Sequence, residues 1–194
     1  MPPTSPLGDL PIADPQAMRA LAHPVRLAVL SYLRRNGPAT ATQLSPHVGA
    51  TPSVTSWHLR HLAAFGLVLD ADPDEVPGDR RHRWWKAAAR GFTFDVRPGD
   101  EAAAAGRILA DQLYRAARDQ VDRWLAEIRP TLDGEWLRVA GVCNTTVRLT
   151  AGEMERLSAA IDELLGPYVN RADADLPEGA RRVRVLRHYL PEDR

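Results

Sequence analysis

The segment 40–68 constrains the fold most, because it contains signals for two short helices separated by a tight turn. Thr40 followed three residues later by Gln43 is a capping box, which predicts a helix over 41–48 that ends at a glycine. Thr51, followed by a proline, combines an N-cap residue with the residue favoured at the first helical position, and predicts a second helix. Two capped helices with so short a connection pack across one another.

The flanking segments predict further elements around this pair. An Asp-Pro start at residue 14 and the apolar spacing of residues 25–33 predict two preceding helices. An apolar run at 67–69, a loop rich in Asp, Pro and Gly over 70–80, and the segment 81–87 with its large rings predict a two-stranded hairpin. Three helices closed by a hairpin, with the first helix appended, form a winged helix-turn-helix.

The second half of the chain predicts a different region. One long helix is expected from Asp100 to Ile128, ended by a proline. A strand at 145–149, a helix capped by Thr150 and a surface strand near 183–189 follow. The predicted fold class is therefore mainly α with a small β content. The predicted organisation is a flexible leader at 1–13, a winged helix-turn-helix domain at 14–90 and a C-terminal α+β dimerisation or sensing region at 100–190.

The distribution of charge favours a nucleic-acid partner, although the formal net charge is zero. Residues 1–90 contain ten basic and seven acidic residues, and residues 36–68 contain Arg60 and no acid. A surface that lies on phosphates must exclude carboxylates, and this segment does so. The sequence has no apolar stretch of the roughly 20 residues that a membrane helix needs, and its single cysteine, Cys143, suits a reducing cytoplasm.

The second helix of the pair has two contrasting faces. Thr55, Leu59, Leu62 and Ala63 fall on one stripe and are expected to face the core. Hydroxyl side chains, one aromatic ring and one arginine fall on the opposite stripe, and such groups can contact base edges, thymine methyls and phosphates. These outward residues are Ser53, Ser56, Trp57 and Arg60.

Three segments carry a resemblance to a known family: LAHPVRLAVLSYL, ATQLSPHVGATPSVTSWHLRHLAAFGLV, and a wing that ends in RRHRWWKA. Together they resemble the ArsR-type winged helix-turn-helix regulators of bacteria over about residues 14–89. The resemblance implies a homodimer whose two recognition helices enter adjacent major grooves of double-stranded DNA. The predicted DNA-binding residues are Gln43, Thr51, Ser53, Ser56, Trp57, His58 and Arg60, with Arg80, Arg81 and Arg83 on the wing.

Several of these residues have an alternative interpretation. Trp57 can pack under the wing, and His58 and His61 lie beside the core stripe, where packing is the commoner role of a histidine. The two serines can be ordinary solvated surface. The wing loop carries five acids, which DNA would repel, so we expect it to turn them outward.

The long C-terminal helix carries a heptad seam at positions 110, 114, 117, 121, 124 and 128. We expect dimerisation through Tyr114, Val121, Trp124 and Ile128, while burial of this seam against the chain's own strands is the alternative. Trp136, Tyr168 and Tyr189 can line a pocket for a small-molecule effector, or can equally belong to the core.

Other classes of function find little support in the sequence. Metal sensing needs clustered thiolates, imidazoles or carboxylates, and no such cluster is apparent, so no metal or other cofactor is expected. No phosphate loop or nucleophile elbow is present, so the chain is not expected to be an enzyme. The prediction is a transcriptional regulator, a repressor by occlusion of its operator. The alternative is a protein-interaction module that uses the winged-helix surface without contacting DNA.

Overall fold

The computed structural model describes residues 6–76, 82–94 and 101–192. The chain divides into two compact units, residues 1–116 and 117–194. The region predicted as the DNA-binding domain lies within the first unit. None of the helices among the described residues is both long enough and apolar enough to cross a membrane.

The first unit contains four short helices and the greater part of a long fifth helix. The helices predicted around the central pair are all present. Their bounds, with those of the strands, are β1 Asp9–Ile12, α1 Pro15–Leu21, α2 Pro24–Asn36, β2 Ala39–Thr40, α3 Ala41–Val48, α4 Pro52–Ala63, β3 Val68–Asp70, β4 Trp84–Ala87, β5 Gly91–Phe94 and α5 Glu101–Arg123.

The central pair of helices begins and ends where the sequence predicts. Thr40 Oγ1 accepts from the Gln43 backbone N–H at 3.2 Å, and Gln43 Oε1 accepts from the Thr40 N–H at 2.9 Å. Thr51 Oγ1 accepts from the Val54 N–H at the start of α4, at 3.4 Å. Gly49 ends α3 with a φ of 65°, a left-handed conformation that few other residues adopt at low cost. The sequence therefore sets the turn through local capping alone.

Two small sheets accompany these helices. β3 and β4 form the antiparallel pair that the sequence predicts, with Val68 opposite Ala87 and Asp70 opposite Trp85. β2, which no sequence signal predicts, pairs antiparallel with the other edge of β4. The parallel pair formed by β1 and β5 is likewise not predicted from the sequence.

The flexible leader predicted for residues 1–13 is wrong at residues 9–12, which form β1. Each residue of β1 lies opposite one of β5, from Asp9 opposite Gly91 to Ile12 opposite Phe94. Ile12 is 6% exposed and belongs to the core, so burial of this side chain adds to the backbone pairing.

The core of the first unit holds α4 against α2 and α3. The predicted inward residues Thr55, Leu59 and Leu62 are fully buried. They lie in a unit whose core also contains Leu44 of α3 and Trp85 of β4. Full burial of a leucine contributes about 1.5–3 kcal/mol, so this stripe fixes which face of α4 remains in solvent.

Arg26 of α2 is a buried cation that ties α1 to α2. Its Nε donates to the backbone carbonyl of Ala20, and one terminal nitrogen donates to that of Arg19 at 3.3 Å. These carbonyls belong to the last turn of α1, where the helix dipole favours a positive charge. Burial lowers the pKa of Arg26 from its ordinary value.

The second unit is helical, and two predictions about it are wrong. α6 is Gly134–Val139, and α7 is Ala151–Val169, which begins at the predicted Thr150 cap. The predicted strands at 145–149 and 183–189 are absent from the described chain, in which neither segment pairs with another. The C-terminal region is therefore not α+β.

The predicted long helix is confirmed over most of its length, but its last turn is a π-helix at Trp124–Ile128. Along the predicted seam, Tyr114 and Ile128 are about half exposed, whereas Val121 and Trp124 are partly buried. A dimer through these residues stays a prediction. The aromatic residues predicted to line a pocket or the core differ in exposure: Trp136 is partly buried, and Tyr168 and Tyr189 are exposed.

Candidate nucleic-acid interface

The solvent-facing side of α4 carries the residues predicted to read DNA. Ser53, Trp57 and Arg60 are exposed, and Ser56 is partly buried. Arg60 donates to Ser56 Oγ at 2.7 Å, so its guanidinium folds back along the helix and contacts the residue one turn earlier. The predicted outward stripe thus lies at the surface, and it presents the Arg60 guanidinium together with the hydroxyl groups of Ser53 and Ser56.

This face forms one wall of a groove of about 180 Å³ between α4, the start of α3 and β4. The described residues of its lining include no carboxylate. The lining residues are Thr40, Ala41, Thr42, Ser56, Arg60, His82, Arg83 and Trp85. A second depression shares residues 41, 42, 56 and 60 with the groove and adds Pro52 and Ser53. The first turns of α3 and α4 therefore face the same open space, and both helices present their positive dipole ends there.

Arg83 lines this groove and forms an ion pair with Asp70. Its Nε donates to Asp70 Oδ1 at 2.6 Å and a terminal nitrogen donates to Asp70 Oδ2 at 3.0 Å. Its guanidinium carbon also lies 4.0 Å from the centre of the Trp85 ring. The hydrogen bonds between the two side chains lower the pKa of Asp70 and raise that of Arg83. The pair is exposed, so a phosphate can compete with Asp70 for the guanidinium.

Two further acids of the wing loop, Asp72 and Glu75, are neutralised in a similar way. Lys86 Nζ forms ion pairs with Asp72 and with Glu75, the latter at 2.7 Å. These contacts raise the pKa of Lys86 and lower that of Asp72. The acids are exposed, as expected, but their repulsion of a polyanion is reduced by pairing as well as by orientation.

The structure describes some of the remaining predicted DNA-binding residues but not others. Gln43 and Thr51 are exposed at the starts of α3 and α4, where their side chains form the helix caps. Arg80 and Arg81 lie outside the described residues. Thr42 and His82 line the groove although the sequence analysis did not select them, and nothing in the local pattern distinguishes them from other surface residues.

Trp57 is 52% exposed and does not pack under the hairpin. Its ring stacks on His61, one turn along α4, with centroids 5.4 Å apart and an angle of 12° between the planes. The stack leaves about half of the ring in solvent on the outward side of the helix. An aromatic surface held in this way suits contact with a thymine methyl.

His58 does not belong to the reading surface. It is 5% exposed and lies on the buried side of α4, so it cannot reach a base edge. Its ring packs against His23, with centroids 4.8 Å apart, and against Trp57 at 4.9 Å. The prediction of a DNA contact at His58 is wrong, and the alternative, a packing group, is confirmed.

The described residues contain no group of three or more histidine, cysteine, aspartate or glutamate side chains placed to hold a metal ion. Cys143 is exposed in the second unit.

Two comparisons with known proteins were informative. A search of curated proteins found none that matches the chain. Residues 21–70 match a family model described as a helix-turn-helix domain. The match covers α2, α3, α4 and β3, which are the elements that build and hold the exposed face of α4. The chain therefore contains a helix-turn-helix domain at residues 21–70.

Proposed function

We propose that the chain is a DNA-binding transcriptional regulator that inserts α4 into the major groove of double-stranded DNA. The observation that carries the proposal is the groove beside α4. Among the described residues its lining has no carboxylate, and it brings together the first turns of two helices with Arg60 and Arg83. Helix-turn-helix proteins read bases with the N-terminal residues of the second helix, which are Ser53, Ser56 and Trp57 here.

The groove also has the electrostatics that a DNA backbone needs. Helix N-termini and arginines are the usual partners of phosphate oxygens. A backbone phosphate near the start of α3 would lie beside Thr42, with Arg60 on the other wall. Replacement of Asp70 by phosphate at Arg83 would leave the charge of the guanidinium neutralised, so this contact costs little desolvation.

The assignment of a wing, a homodimer and a repressor role rests on the hairpin and on the family resemblance. In the proposal, β3 and β4 form the wing of an ArsR-type winged helix-turn-helix, and Arg83 contacts the backbone beside the groove that α4 reads. The protein acts as a homodimer, since two recognition helices about 34 Å apart match successive major grooves. The seam containing Tyr114 and Val121 supplies the dimer contact, and repression follows from occlusion of the operator.

The test begins with selection from a randomised pool of duplexes about 30 bp long, which spans two half-sites. Fluorescence anisotropy then measures the affinity for the enriched duplex and for a scrambled duplex across a range of salt concentrations. We expect specific binding at least about a thousandfold tighter than binding to the scrambled duplex, with a steep fall as salt rises. Failure to enrich any sequence, or equal affinity for both duplexes, contradicts the proposal.

A second candidate function is a protein-interaction module that uses the same face. The observation that favours it is the exposed apolar pair Val54 and Trp57, which are 46% and 52% exposed and lie one turn apart on α4. The two functions differ in their response to salt, because apolar docking does not release counterions. Partner binding that is insensitive to salt and is abolished by Trp57→Ala, without any DNA binding, would favour this alternative.

A further inference from the structure

His58, on the buried side of α4, belongs to a cluster with His23 and His61. The proposed contacts of α4 with DNA assign no role to this cluster. The ring of His58 contacts that of His23, which precedes α2, and that of Trp57, which lies on the exposed face of α4. Trp57 in turn stacks on His61. A single contiguous set of rings therefore connects the start of α2 to the exposed aromatic side chain of α4.

The hydrogen bond that His23 accepts and the absence of one at His58 Nδ1 among the described residues both fit neutral imidazoles. His23 is the N-cap of α2, and its Nδ1 accepts from the Val25 backbone N–H at 3.2 Å. A nitrogen that accepts a hydrogen bond carries no proton. The Nδ1 of His58 is buried and has no hydrogen-bond partner among the described residues. A proton added there would create a buried charge without a counterion.

The surroundings of His58 also disfavour a positive charge. The charged and titratable groups that face it are His23, Arg26 and His61, and each of them is a cation or becomes one in acid. Burial, followed by the charges of these neighbours, lowers the pKa of His58 below 6.5. Burial and Arg26 act on His23 in the same direction.

We propose that His58 is a positioning residue for DNA reading, whose neutral ring fixes Trp57 and α4 against His23 and whose protonation releases them, so that operator affinity falls in acid. The inference rests on the proposed function. In neutral solution the rings pack and His23 caps α2. In acid, a proton on His58 faces Arg26, and a proton on His23 Nδ1 removes the cap. Both changes loosen the junction that holds the reading face of α4.

The expected effect follows from proton linkage. We consider one imidazole that can be protonated in the free protein but not in the DNA complex. For each pH unit below the pKa of that imidazole, the Kd for DNA then rises by at most about tenfold. His82 lines the groove and His47 lies exposed on α3, so the pH response of the wild type alone does not isolate the contribution of His58.

The experiment therefore compares ratios between variants. The Kd for the enriched duplex is measured at pH 7.5 and at pH 5.5, at fixed salt, for the wild type, His58→Met and His47→Gln. Methionine fills a similar space and cannot be protonated. We expect the ratio of Kd at pH 5.5 to that at pH 7.5 to be smaller in His58→Met than in the wild type, by at most about tenfold. The matched control His47→Gln changes another histidine of the same domain and keeps its ratio above that of His58→Met.

A second measurement does not depend on the folding of a variant. Titration of the histidine ring signals by NMR gives the pKa of His58 in the wild-type protein, free and bound to the duplex. We expect a value below 6.5 in the free protein and a lower one in the complex. Equal values in the two states, or equal Kd ratios for the wild type and His58→Met, overturn the inference. Absence of duplex binding at pH 7.5 contradicts the proposed function itself and is thereby distinguished from failure of the histidine mechanism alone.

Discussion

Arg60 gives the sharpest test of how the protein binds DNA, because the structure separates its role in binding from its role in folding. Its side chain is exposed, and its hydrogen bond to Ser56 joins two residues of the same helix. Replacement of such a surface residue changes the free energy of unfolding by no more than about 0.5 kcal/mol. Any large effect of Arg60→Ala on DNA affinity therefore comes from lost contacts with the DNA.

The size of that effect depends on what Arg60 contacts. A contact to a base edge or a phosphate is worth about 1–3 kcal/mol, so we expect affinity to fall roughly 5- to 150-fold. If the contact is to a phosphate, the slope of log K against log salt becomes shallower by about 0.9. If it is to a base, the loss is greatest for the enriched duplex and smaller for the scrambled one.

The matched control is Arg107→Ala, which removes the same charge from an exposed position on α5. Anisotropy titrations of both variants at several salt concentrations, with thermal melts to check folding, complete the comparison. Equal affinities for Arg60→Ala and Arg107→Ala would refute the argument, because the effect would then be one of net charge alone.

Three further predictions concern the wing, the helix cap and the histidine cluster. Asp70→Asn removes an anion that repels phosphate and competes for Arg83, so operator affinity rises about two- to threefold, as measured by anisotropy. Thr40→Ala removes the side-chain cap of α3 and lowers the free energy of unfolding by about 0.5–2 kcal/mol in urea titrations. Because the folded-state pKa of His58 is lowered, its stabilising contribution is present above pH 6.5 and is lost as pH falls below it, by at most about 1.4 kcal/mol per pH unit.

Each of these predictions has a clear contrary result. Weaker operator binding by Asp70→Asn would mean that Asp70 positions Arg83 for DNA instead of competing with it. An unfolding free energy unchanged by Thr40→Ala would mean that solvent or Gln43 replaces the cap. Acid unfolding with the same pH dependence in the wild type and in His58→Met would assign the loss of stability to other groups.

Local signals in the sequence predicted the helices of the first unit well. The capping box of Thr40 and Gln43, the Thr51–Pro52 start and the glycine at position 49 each act within a few residues. Such signals define where helices begin and end, regardless of the rest of the fold. The apolar spacing of Leu59 and Leu62 then gave the buried face of α4, and with it the exposed face.

Pairings between distant segments could not be predicted in the same way. β2 is two residues long, and β1 pairs with a strand about 80 residues further along the chain. Neither strand has a local sequence pattern that indicates which other strand it pairs with. The reverse holds at 183–189, where alternating residues predict a surface strand, because a strand needs a neighbour and the described chain provides none there.

The burial of His58, in contrast, follows from a pattern that is local to α4. Thr55, His58, Leu59 and Leu62 follow the spacing i, i+3, i+4 and i+7, which marks one face of a helix. Full burial of the other three members predicts burial of the histidine too. Arg26 is different, because no sequence pattern indicates that the carbonyl groups at the end of α1 will satisfy a buried guanidinium.

The indole N–H signal of Trp57 in NMR spectra provides the most direct test of the central claim that the exposed face of α4 contacts DNA. Trp57→Phe assigns the signal, and Trp136 of the second unit serves as an internal reference. On addition of the enriched duplex, we predict that the Trp57 signal shifts or broadens while that of Trp136 stays in place. A Trp57 signal that remains unchanged when the duplex is fully bound would contradict the account, because the contact would then lie elsewhere on the protein.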